Sequence, residues 1–108
     1  MTDIGERLTE LERGDDVSVT VDGREYCGTV TSTSRTECEL AGAFMESGYV
    51  GVSVDLDAET VDRHGLSTDE LSIGAEERGP RAWDAATATL GESTDLGEVG
   101  EVESTNRT

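Results

Sequence analysis

The chain has no lysine, a single proline and a single histidine among 108 residues, and aromatic side chains make up only 4% of it. Each shortage removes a class of function. A phosphate-cradling P-loop needs a lysine, so that nucleotide chemistry is excluded. Two cysteines, Cys27 and Cys38, and the lone His64 show no Cys-x-x-Cys spacing, which argues against a zinc centre. A Cys–His nucleophilic pair would need spatial adjacency, and His64, in a His64-Gly65 turn, reads instead as a surface residue. No stretch reaches the ~18 apolar residues that suggest a membrane helix. The opening Met1-Thr2-Asp3 has an acid where a signal peptide would have a basic segment followed by an apolar one, so a cytoplasmic location is expected. With 33% apolar residues in a one-domain length, the core must be small.

What is abundant is negative charge. There are 25 Asp and Glu against eight basic residues, all arginine, for a net charge of −17. Carboxylate pairs such as Asp15-Asp16, Glu76-Glu77 and Asp55 with Asp57 could serve acid–base or divalent-ion chemistry, but at this density they arise from solubility alone. High charge with few aromatics also fits disorder, against which the regular alternation of the first half argues. The composition resembles that of cytoplasmic proteins of extremely halophilic archaea. In 1 M salt the Debye length is only about 3 Å, so net charge no longer argues against a nucleic-acid partner. Recognition would then rest on local hydrogen bonds and stacking.

Thirteen glycines suit a β-rich chain with many tight turns. The most legible stretch is residues 16–30, where two alternating runs flank Asp22-Gly23, the signature of a two-residue hairpin. Asp16–Val21 reads as the first strand and Arg24–Ser32 as the second, pairing Val21 with Arg24, Val19 with Tyr26 and Val17 with Gly28. Tyr26, Gly28 and Val30 then share the valine face, and Cys27 falls on the other face beside Ser18. Gly28 within a strand signals a bend. Ahead of the hairpin, Ile4, Leu8 and Leu11 recur at helical spacing, predicting a short helix over 4–12 that closes one end of a small barrel.

Beyond it, Thr31–Thr36 reads as a polar turn, Glu37–Ala41 as a short strand with Cys38 and Leu40 facing inward, and 42–48 as a loop centred on Phe44 and Met45. Cys27 and Cys38 then occupy opposite faces, which disfavours a disulfide. Tyr49–Asp57 is the cleanest strand. Residues 58–66 read as polar, with Val61 and Leu66 as anchors; Leu71–Ile73 follows as a short strand and 74–80 as a loop. Over 81–90, Trp83, Ala86 and Leu90 fit a helix while Ala86, Ala88 and Leu90 fit a strand; the β-branched Thr87 and Thr89 favour the strand. Residues 1–90 are thus expected to form a mainly β, SH3-like or Sm-like barrel of about five strands, and 91–108 a flexible acidic tail.

A leading helix followed by Val17-x-Val19-x-Val21-Asp-Gly23-Arg24-x-Tyr26-x-Gly28-x-Val30 resembles the first motif of Sm-like proteins, over Ile4 to about Ser34. That resemblance implies a bent five-stranded barrel with an N-terminal helix. It carries over no RNA-contact residue, because Ser32–Cys38 lacks the family's base-holding Asp and Asn. The family's second motif finds only a faint echo in Arg78-Gly79-Pro80-Arg81.

The residues expected to bind a partner are Arg81 with the neighbouring Trp83, and Phe44 and Tyr49, since an aromatic ring near an arginine can stack a base or a side chain. With no cofactor loop and no nucleophile–base set recognisable, the expectation is a non-catalytic binding module contacting RNA or an RNA-handling complex, without cofactor or metal. The alternative is a protein–protein adaptor using a barrel edge or the Phe44-Met45 loop. The oligomeric state is left open.

Overall fold

The computed structural model describes residues 4–36, 39–41, 44–46, 48–79, 82–91 and 94–104, with backbone alone at 39–41, 44–46, 79 and 82. The elements are α1 (Ile4–Thr9), β1 (Asp16–Val21), β2 (Arg24–Thr36), β3 (Glu39–Ala41), β4 (Phe44–Glu46), β5 (Gly48–Leu56), α2 (Ala58–His64), β6 (Glu70–Gly79), β7 (Ala82–Trp83), β8 (Thr87–Leu90) and β9 (Thr94–Ser104). Six strands, β1-β2-β5-β6-β8-β9, form an antiparallel meander that closes when β9 pairs with β1. The protein is a mainly β, closed six-stranded barrel with two short helices.

The first hairpin follows directly from its residues. Asp22 (φ 52°) and Gly23 (φ 77°) both take the left-handed conformation that a tight hairpin turn requires. Val21 pairs with Arg24, Val19 with Tyr26 and Val17 with Gly28, as the alternation predicts. Gly28 lies where β2 passes from β1 to β5: a Cβ there would come 2.8 Å from the Val54 side chain and 2.9 Å from the Asp55 carbonyl carbon. The expected bend is a close approach of two strands.

Several expectations are corrected. Thr31–Thr36 is strand, not turn: a bulge between Val30 and Ser32 shifts the phase, and β2 continues against β5 to Thr36↔Tyr49. The loop expected around Phe44 and Met45 holds strand β4, which pairs with β3. Its Glu39↔Glu46 pairing lies three residues beyond Thr36↔Tyr49 on each strand, so β3–β4 continues the β2–β5 hairpin in register. Cys38 lies outside the described residues, and so does the side chain of Leu40. Residues 58–64 form a helix ended by Gly65 in the αL conformation (φ 62°), with Val61 and Leu66 packed against the core as expected. β6 runs through Gly79 because Ala75 and Glu77 continue its inward face opposite Val50 and Gly48. Ala82–Trp83 and Thr87–Leu90 are strands, the second as its threonines favour.

The largest correction concerns the tail: Thr94–Ser104 is β9, paired on both sides, with Val99 and Val102 buried. Residues 105–108 lie outside the described residues.

The interior is filled chiefly by valine, with leucine next and only three alanines, Ala75, Ala86 and Ala88. Helix α1 stoppers one end with Leu8, joined by Leu11 from the turn that follows, and Arg7 Nη1 donates to the Val102 carbonyl 3.3 Å away. A six-residue helix has no stability of its own. Burying Leu8, and Leu11 just after the helix, contributes about 1.5–3 kcal/mol each and holds it in place. Helix α2 lies at the opposite end, where the buried Thr60 Oγ1 accepts from the Cys27 backbone N–H at 3.2 Å.

Candidate functional site

Tyr49 is the one large apolar side chain classed as exposed among the described residues, at 44%. It stands on the outer face of β5, two residues before Gly51, and Gly51 pairs across to Gly74 on β6. A Cβ built on Gly51 would lie 2.9 Å from Tyr49 Cε2, and one built on Gly74 would lie 2.9 Å from its Cζ. The ring therefore lies across the glycine pair, with the sheet backbone as its floor. Any larger residue at Gly74 would lift it away.

The ring forms a ridge between two clefts. One, of about 350 Å³, runs from Tyr49 to the strand β8 and carries the hydroxyls of Ser72, Thr87 and Thr89 and the carboxylates of Glu76 and Asp84. The other, of about 210 Å³, is lined by Ser32, Ser34, Gly51, Ser53 and Ser72. Asp84 is fixed from two sides: its N–H donates to the Glu76 carbonyl at 2.8 Å, and its Oδ2 accepts from Arg78 Nε at 2.6 Å. That ion pair holds the Arg78 guanidinium above its ordinary pKa. A further cleft, of about 490 Å³, runs along α2 between Leu56, Val61, Leu66 and Asp69, without an aromatic residue in its lining.

Trp83, expected beside Arg81 as a stacking pair, is engaged within the molecule. The Arg35 guanidinium carbon lies 5.0 Å from the centroid of its ring, and α1 packs Gly5 against it, where a Cβ would come 2.7 Å from Cγ. Arg35 also donates to the buried Glu77 carboxylate at 3.1 Å and to the Thr36 carbonyl at 2.7 Å. The cluster joins α1 to the barrel end and compensates a charge that would be costly to bury alone. The Trp83 indole N–H is buried without an acceptor among the described residues. Arg81 and the Phe44 side chain lie outside the described residues. The structure therefore brings Tyr49 and Trp83 to the same end of the barrel but to different sides, one outside and one under α1.

The remaining chemistry-bearing groups sit at the α2 end. His64 stacks on Tyr26 with centroids 4.8 Å apart, and its Nε2 donates to the Glu25 carbonyl at 2.8 Å, pinning α2 to β2. Cys27 faces outward beside Ser18, as expected from parity, and burial pushes its thiol pKa up. A raised pKa disfavours the nucleophilic thiolate form. Asp55 is held above the usual carboxylate range by its hydrogen bond to Asp69 and by the charge beside it. Among the described residues no cluster of three or more metal-ligating side chains forms, and no helix is long and apolar enough to cross a membrane.

Sequence reasoning singled out Tyr49 but missed Gly51, Ser72, Gly74, Asp84, Thr87 and Thr89. The only local signal was a glycine two residues after an aromatic in a strand. No family model matches the chain, and neither a curated protein nor a solved structure is found to be similar to it.

Proposed function

We propose that the protein is a non-catalytic binding module suited to high salt, whose recognition surface is the outer sheet face around Tyr49. The exposed ring lying over the Gly51–Gly74 pair carries this reading. Such a ring, already seated on its floor, gains a ligand contact without ordering a mobile side chain. The flanking clefts supply hydroxyls and carboxylates that fix orientation. Stacking and hydrogen bonding persist at multimolar ionic strength, whereas exposed ion pairs are screened.

Single-stranded RNA is a second reading, because an aromatic ring on a sheet is also a base-stacking platform. The Sm-like character of the first hairpin favours it. Contact would be through bases, since Arg35 and Arg78 are already ion-paired. An adaptor role would use β7 or the β3–β4 hairpin, which lie outside the closed ring of six strands.

The test is ligand-observed saturation-transfer NMR in multimolar KCl with a library of uncharged ring-containing fragments. Fragments that bind the wild type and lose binding in Tyr49→Ala support the reading. Fragment binding that is indifferent to Tyr49→Ala, or absent altogether, refutes it.

A further inference from the structure

Resting on that reading, we infer that the larger cleft beside Tyr49 takes a neutral, hydroxyl-bearing sugar ring. Three observations converge on this class. The cleft, at about 350 Å³, lies at the small end of ligand sites, of monosaccharide rather than polymer size. One wall is the Tyr49 ring, whose electron-rich face suits the C–H faces of a pyranose. Glu76, the cross-strand partner of Tyr49, and Asp84 also line it, together with Ser72, Thr87 and Thr89. Carboxylates accept hydrogen bonds only, so they select a ligand rich in O–H donors; the hydroxyl side chains both donate and accept.

The same groups weigh against a charged ligand. Phosphate recognition needs cations, and the arginines beside the cleft are committed, Arg78 to Asp84 and Arg35 to Glu77. Two carboxylates at the cleft repel an anionic ligand at short range, where salt screens least. A sugar hydroxyl instead meets a carboxylate as a charge-assisted donor, the stronger class of hydrogen bond. Arg78 holds the Asp84 carboxylate at Oδ2 and the Glu76 carbonyl holds its backbone, so the carboxylate keeps Oδ1 as a further acceptor at a fixed position.

The experiment titrates the full chain in multimolar KCl with the methyl glycosides of glucose, galactose, mannose, xylose and N-acetylglucosamine, and separately with oligouridylate. The readout is the Tyr49 ring and the backbone amides of Ser72, Gly74 and Thr87 by NMR. A saturable shift of these signals by at least one glycoside is expected. Tyr49→Phe should keep it, while Tyr49→Ala and Asp84→Asn should each weaken it about tenfold or more, a change of ~1.4 kcal/mol. Gly74→Ala should weaken it similarly by lifting the ring, and the exposed Tyr49→Ala keeps the test valid should Gly74→Ala fail to fold. Glycoside binding that survives Tyr49→Ala overturns the inference. If oligouridylate moves the Tyr49 signals and no glycoside does, the sugar is overturned while the Tyr49 recognition surface stands. If neither moves them and ring fragments also fail, both readings fall.

Discussion

Replacing Val102 by alanine separates a structural strand from an acidic tail. Val102 is 1% exposed and pairs with Val19 at the seam where β9 closes the barrel onto β1. The substitution removes two buried methyl groups, worth about 1.6 kcal/mol at ~0.8 kcal/mol per group. The cavity left beneath the seam adds to that, for a total of about 2–3 kcal/mol. Against a stability of about 5–15 kcal/mol for a small domain, this is a large fraction. It corresponds to a fall in Tm of about 8–16 °C if 2 kcal/mol is lost in a chain of this size. The assay is urea unfolding in multimolar KCl, followed by circular dichroism, with Glu103→Ala as the control. Glu103 is exposed and pairs with Ser18 on the outer face, so its replacement should stay within about 0.5 kcal/mol. If Val102→Ala costs no more than Glu103→Ala, β9 does not close the barrel and the account of the fold fails.

Other outcomes follow from the same structure. Gly5→Leu sets a side chain against Trp83 and should unseat α1, destabilising the fold by about 1–3 kcal/mol and shifting Trp83 fluorescence to the red; an unchanged emission maximum would contradict the packing. Asp55→Asn should stabilise the protein at neutral pH, because the raised Asp55 pKa means that the folded state resists its ionisation beside Asp69. That gain should vanish as pH falls below the usual aspartate range, where the wild type is protonated in both states; a gain independent of pH would refute the cause. With 25 acids against eight arginines, the native circular-dichroism spectrum should be lost in dilute buffer, where carboxylate repulsion is unscreened, and regained in multimolar KCl. A native spectrum retained at low salt would count against high-salt adaptation.

The parts of the fold legible in the sequence are those where the two-residue strand period runs unbroken. β1, the first half of β2 and β5 alternate cleanly, and the register of β1 against β2 follows from the Asp22-Gly23 turn. The parts that were missed are those where bulges break the period. Val99 and Val102 are three apart because Gly100 is an extra residue between the Thr20↔Glu101 and Val21↔Val99 pairs. Leu96 is likewise extra between Ala88↔Gly97 and Thr89↔Asp95. Spaced three apart among glycines and acids, these residues do not look like a strand, yet two of them are buried. The polar second half of β2 was lost at the Thr31 bulge for the same reason.

The candidate surface was legible only in its most visible residue. Tyr49 reads as an aromatic to watch, but its importance comes from Gly74, on a strand more than twenty residues later, and from Asp84 and Thr87 beyond that. No local pattern links these positions. Trp83 carried the same chemical promise in sequence, and its partners Arg35 and Gly5 are equally remote. Which of two aromatics serves the core and which faces solvent is decided by tertiary contacts alone.

The measurement that bears most directly on the Tyr49 surface is amide and ring chemical-shift mapping of the isotope-labelled protein in multimolar KCl, with a ring compound that binds. The account predicts shifts centred on Tyr49, Gly51, Ser72, Gly74, Asp84 and Thr87, with the α2 end around Tyr26 and His64 unmoved. Shifts centred instead on the α2 cleft, at Leu56, Val61 and Leu66, would contradict it.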